Sequence, residues 1–165
     1  LTIPLLKRQA KQRLKQIAGQ IVAIDAECRI RIASEAGLSR RFDILISIPG
    51  PGEATAFALV ADMPELGALE NNQAASLVGL APVDRQSGLW KGKSFIQGGR
   101  QTLRQALYMP ALFATRFNQP LKAKYENLRA GGKPPKVAIT AIMRKLIVLA
   151  NALIRDDRKW SPSLP

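Results

Sequence analysis

The chain has 165 residues, with 25 lysines and arginines against 12 carboxylates, no histidine, one cysteine and a formal charge of +13. The missing histidine excludes Ser-His-Asp triads, imidazole bases and histidine metal sites. The single cysteine, Cys28, excludes intrachain disulfides and zinc clusters. An apolar fraction of 47% can build a core, and the basic balance points to a polyanionic partner, nucleic acid first. The bland alternative is a generally sticky basic surface. No apolar run reaches the roughly 20 residues that span a bilayer, and no signal peptide shows. The composition fits a reducing cytoplasm. Because it opens at Leu1 in mid-helix character, the chain is expected to be a piece of something longer.

Residues 5–35 predict one long helix. Leu14, Ile17, Ile21, Ile24 and Cys28 step by three and four, the pattern of a coiled-coil seam, with Cys28 a buried structural thiol. Lys7, Arg8, Lys11, Arg13 and Lys15 make the first half basic. Homo-oligomerisation through this arm (residues 1–38) is the expectation, and Gly37 is read as its stop. A compact helical domain over 39–158 and a loose tail over 159–165 follow.

In that domain, an apolar stretch from Asp43 ends at Ile48-Pro49-Gly50-Pro51-Gly52, and Glu53 opens a second helix. This is the shape of a helix-hairpin-helix. Gly50 and Gly52 would let the backbone approach a phosphate, and the helix start behind them favours an anion. An ordinary tight helix connection is the competing reading. Residues 71–79 predict a short helix capped by Asn71 or Asn72. Leu80 to Gly99 reads as an ordered loop or small hairpin anchored by Leu89, Trp90, Phe95 and Ile96. Residues 101–117 are helical, kinked or divided by Pro110. A short helix over 120–130 ends at Gly131-Gly132. The last, over 136–156, is apolar nearly all round and reads as the buried spine. The fold class is mainly α, with one loop or hairpin insertion.

Within DRQSGLWKGKS, Asp84 to Ser94, a nucleotide loop fails on spacing. It needs G-x-x-x-x-G-K-[ST], and only three residues separate Gly88 from Gly92. The carboxylates are scattered: Asp156-Asp157 point apart on a helix, and Glu65 and Glu70 have no obvious partner. No metal site is expected in this chain. Ser87 stands beside Gly88, close in sequence to Arg85, Lys91 and Lys93. A serine attacking a phosphodiester needs a proton acceptor and positive charge on the phosphate. From the local residues alone, a turn serine and a nucleophile both stand.

The strings GLAPVDRQSGLWKGKS, GGRQTLRQALYMPA and NLRAGGKPPKVAITAIMRKL, with IPGPGEATA ahead of them, resemble the C-terminal transposase domain of the insertion-sequence IS-one-ten family. The resemblance covers residues 40–155. It implies an N-terminal RuvC-like domain with a DEDD carboxylate set binding Mg²⁺, a coiled-coil linker, and this domain. It implies a DNA recombinase guided by a structured bridge RNA, with Ser87 as the nucleophile that bonds to DNA, in the bacterial cytoplasm at the nucleoid. The resemblance thus implies no cofactor for this piece by itself, which is expected to bind DNA or RNA without cutting. LWKGKSFIQGG departs from relatives that carry more serines and arginines there. Arg85, Lys91, Lys93, Arg100 and Arg104 are the candidates for phosphate neutralisation. Lys133, Lys136, Arg144 and Lys145 come second. The alternative function is a non-catalytic helix-hairpin-helix module that binds nucleic acid and oligomerises.

Overall fold

The computed structural model describes residues 3–83, 86–87, 90–92 and 94–162, with backbone alone at 86, 87, 90 and 91. It is mainly helical with a long N-terminal helix, as the periodicity predicts. The chain divides into two compact units, Leu1–Ser39 and Arg40–Pro165.

The first unit is dominated by α1 (Pro4–Ala33), opened by Pro4 in its first turn, where a missing amide costs nothing. No residue of α1 is buried. Leu14, Ile17, Ile21 and Ile24 are exposed by 42 to 68%, so the predicted seam faces outward. For the same reason Cys28 is only half-buried rather than a core thiol. The helix does not run to Gly37. Ser34 stops it, its amide bonding to the Ile30 carbonyl and its hydroxyl donating to the Arg31 carbonyl at 2.7 Å. Gly37 then lies inside α2 (Ala36–Ser47).

In the second unit, the end of α2 and the following α3 (Glu53–Asp62) are joined by the turn 48–52, with Phe42 and Phe57 stacked at 5.0 Å. The short α4 (Asn71–Leu77) is capped by Glu70, not by Asn71 or Asn72. Gln73 reaches back to accept the Glu70 amide at 3.0 Å, a reciprocal box that an asparagine one residue later cannot form. Next, β1 (Pro82–Val83) pairs antiparallel with β4 (Phe95–Ile96), and β2 (Gln86–Ser87) with β3 (Trp90–Lys91). Then come α5 (Gln101–Ala106), α6 (Tyr108–Phe117), α7 (Gln119–Ala130) and α8 (Pro135–Arg155). The 101–117 segment divides at Leu107, which places Pro110 in the first turn of α6, where no amide is needed.

The spine is α8, packed against α4, α6 and α7. Ala138, Ile142, Leu146 and Ile147 recur at helical spacing on its buried face. Each large aliphatic there contributes about 1.5–3 kcal/mol of burial. By length and composition α8 could cross a membrane, against the expectation that no run is long enough, but half of that stretch is buried inside this unit. Fully buried Asn151 clamps the 63–70 loop to it, accepting from the Gly67 amide at 2.8 Å and donating to the Leu69 carbonyl at 2.7 Å. The tail is tied further than expected. Lys159 pairs with Asp43 at 2.9 Å, and the Trp160 amide donates to the Ser47 hydroxyl at 2.9 Å.

Candidate nucleic-acid interface

The two strand pairs form an arm whose ends meet at a tight crossing. Gly79, at φ +71, and Gly99, at φ +66, lie backbone to backbone, so a Cβ on either would collide with the other strand of the crossing. The crossing is bonded by the Arg100 amide, which donates to the Leu77 carbonyl at 2.8 Å. Two arginines lock it. The Arg104 guanidinium donates to the Gly98 carbonyl at 2.6 Å and reaches Val78 at 3.4 Å. Arg100 grips the Glu65 carboxylate through both terminal nitrogens, at 2.9 and 2.6 Å, and donates to the Asp62 carbonyl at 2.6 Å. That guanidinium beside it holds Glu65 down to about 2, its own backbone amide adding to the effect.

Of the residues proposed to neutralise phosphate, Arg100 and Arg104 are thus committed to protein partners that hold the arm in place. The pairing of Arg100 with Glu65 spans 35 positions, and no local signal marks it. Ser87 is the last residue of β2, opposite Trp90, and Lys91 lies opposite Gln86. Ser87 and Lys91 are therefore near neighbours by backbone register. Arg85 and Lys93 lie outside the described residues, with Asp84, Gly88 and Leu89.

The glycines of the 48–52 turn separate into different jobs. Gly50, at φ +138, faces α6, where a Cβ would stand 3.0 Å from the Pro110 carbonyl oxygen and 3.3 Å from the Ala114 Cβ. Buried Asn118 ties the same turn down, donating to the Pro49 carbonyl at 3.4 Å while capping α7 through the Leu121 amide. Gly52 is exposed at the start of α3 with nothing within 4 Å of a Cβ. Of the pair, Gly52 is the one left open to solvent.

The structure also brings two of the second-rank candidates, Lys136 and Arg144, to the arm, while Lys145 is exposed on α8. Beside β4 and the start of α8 lies a cleft of about 410 Å³. Leu80, Phe95, Ile96 and Val137 form its apolar walls, and Lys136 and Arg144 stand on it. The Arg144 guanidinium is steered by Asn72, whose side-chain oxygen accepts at 3.2 Å. Lys133 is exposed just ahead of α8. Among the described residues no group of three or more Asp, Glu, Cys or His side chains could hold a metal ion.

A family model described as Transposase IS116/IS110/IS902 family matches residues 42–126, a span that takes in the turn, the arm and Ser87. The chain is similar to a pilin gene-inverting protein of Moraxella bovis, 31% identical over 159 residues, covering 94% of this chain and 49% of that protein. It is similar to an insertion element IS900 protein of Mycobacterium paratuberculosis, 29% identical over 158 residues, covering 90% and 39%. An insertion element IS116 protein of Streptomyces clavuligerus is 28% identical over 164 residues, covering 96% and 41%. The chain spans about half the length, or less, of the curated relatives it matches.

Proposed function

We propose, for a chain that belongs to the Transposase IS116/IS110/IS902 family, that it is the C-terminal part of a DNA recombinase in which Ser87 is the nucleophile. The observation that carries this reading is the family match across 42–126, which spans the whole arm and its serine. The relative named as a pilin gene-inverting protein supports a rearrangement of DNA as the outcome.

In the proposed step the Ser87 hydroxyl oxygen bonds to phosphorus of a DNA strand and the bond to the 3′ oxygen breaks. The serine proton passes to a base, the leaving 3′ oxygen takes up a proton, and the strand's 5′ phosphate remains on the serine. Attack on a diester builds negative charge on the phosphoryl oxygens, so nearby cations lower the barrier. Lys91 stands within the same strand pair, and Lys136 and Arg144 stand at the arm's base. Arg100 and Arg104 act in this scheme as positioning residues, since they hold the arm.

Mg²⁺ on a separate RuvC-like DEDD domain also belongs to the proposal, as do a bridge-type guide RNA, assembly through α1 and action at the bacterial nucleoid. The test is Ser87→Ala in the full-length protein. Recombination and a protease-sensitive protein–DNA adduct are expected to vanish together. Recombination at the normal rate with alanine at 87 sinks the assignment.

A further inference from the structure

We propose that the cleft between β4 and α8 is a nucleotide site that takes one unpaired base of single-stranded DNA, with its phosphate on Lys136 and Arg144. The inference rests on the DNA reading above and adds what the strand must look like. The cleft holds about 410 Å³, room for a base and part of its sugar. Its lining is mostly apolar, with Phe95, Ile96, Leu80 and Val137 among its residues. The charged side chains among its lining residues are both cations, Lys136 and Arg144.

That combination decides the occupant. A purely apolar ligand would leave two cations with nothing to neutralise, on a chain that already carries +13. Paired bases in a duplex show only their edges, so the phosphates could reach the cations while the apolar walls stayed wet. An unpaired base satisfies both parts, because its face stacks on an aromatic ring and its phosphate meets the cations. Ser94 and Thr140 are the uncharged polar members of a mostly apolar lining, and the Thr140 hydroxyl already donates to the Lys136 carbonyl at 2.9 Å, so the site selects for an unpaired base more than for which base it is.

The cleft also sits at the root of the arm that carries Ser87, since β4 pairs with β1 and the Arg100 and Arg104 anchors follow directly. A base held there would fix the strand's register against the arm.

The test uses the 165-residue chain and labelled oligodeoxynucleotides, single-stranded and duplex, read by fluorescence anisotropy across a salt series. Phe95→Ala is expected to weaken single-strand binding by about tenfold while leaving duplex binding unchanged, since base stacking carries that loss. Ala141→Leu narrows the cleft from the α8 side with every strand residue left as it is and should do the same, so a folding defect in Phe95→Ala does not decide the matter. Joint replacement of Lys136 and Arg144 by alanine should lower the slope of affinity against salt by about 1 to 2, on either form of DNA. Cross-linking with an iodouracil-substituted single strand should label the peptide that contains Phe95. Equal losses on single strand and duplex, or no loss with either cleft variant, overturn the site while leaving DNA binding intact. Failure of the unaltered chain to bind either form removes the wider reading with it. An RNA strand held tenfold more tightly than its DNA counterpart, with the same sensitivity to Phe95→Ala, overturns the assignment to DNA.

Discussion

Arg100 holds Glu65 with a two-pronged grip, 2.6 and 2.9 Å, across the base of the arm. The pair joins the start of α5 to the loop after α3, and so fixes the segment that re-enters the fold behind Ser87. Glu65 drops from its ordinary 4.5 to about 2 in this setting, with the Arg100 bond as the main cause. A carboxylate held lower in the folded than in the unfolded chain favours folding wherever it is ionised in both. That contribution is full above about 4.5 and fades as pH falls toward 2. Glu65→Gln should therefore lower the melting temperature at pH 7, with the gap to the parent closing by pH 2. A gap that does not change with acid would show that the carboxylate's charge contributes nothing.

Asn151 is completely buried and both ends of its amide are used, on the Gly67 amide and the Leu69 carbonyl. Asn151→Leu leaves both backbone groups without their partner in the core. The expected cost is about 3 kcal/mol in urea unfolding. Gly67→Ala acts on the same clamp through sterics, because at φ +98 its Cβ would come within 2.5 Å of the Ile154 Cγ2. It should cost about 2 kcal/mol or more.

Gly50 and Gly52 lie two residues apart and should respond differently. Gly50→Ala is strained by φ +138 and by the Pro110 carbonyl, and is expected to destabilise by about 1–3 kcal/mol. Gly52→Ala meets open space, and its stability should stay within about 0.5 kcal/mol of the parent. If the amides at the start of α3 receive a phosphate, the exposed Gly52→Ala weakens DNA binding severalfold at unchanged melting temperature. Titration of both variants with duplex DNA, beside urea curves, separates packing from binding.

Oligomerisation through α1 makes its own prediction. Ile17, Ile21 and Ile24 are 42, 53 and 61% exposed in a single chain. A seam of that kind is buried when helices associate. Ile17→Asp with Ile24→Asp should shift the chain to monomer in sedimentation analysis while leaving the helical signal of the second unit in place. Unchanged sedimentation would remove the seam from the assembly.

The periodic segments were readable because helix burial repeats every three to four residues. The spine over 136–156 and the long N-terminal helix follow from that rule, whereas the 101–117 segment divides at Leu107, three residues ahead of Pro110. The helix ends were read less well. Gly37 and Asn71 are good terminating and capping residues in isolation, but Ser34 and the Glu70–Gln73 pair reach the free backbone groups first.

By itself the sequence determined the helical class, the basic character, the absence of histidine chemistry and, through its motifs, the family and the serine worth testing. These are properties of composition and of neighbours within a helical turn or a short motif. Tertiary structure alone decided which charges are spent and which are offered. Arg100 and Arg104 look like phosphate ligands in the string GGRQTLR, yet Glu65, Gly98 and Val78 receive them. Lys136 and Arg144 rank second as phosphate ligands in the sequence, yet folding sets them on the cleft with Phe95. A cation's job depends on which carboxylate, carbonyl or aromatic ring packing brings to it, and most of those partners are remote in sequence: Glu65 lies 35 residues from Arg100 and Val78 lies 26 from Arg104, with Gly98 the local exception at 6.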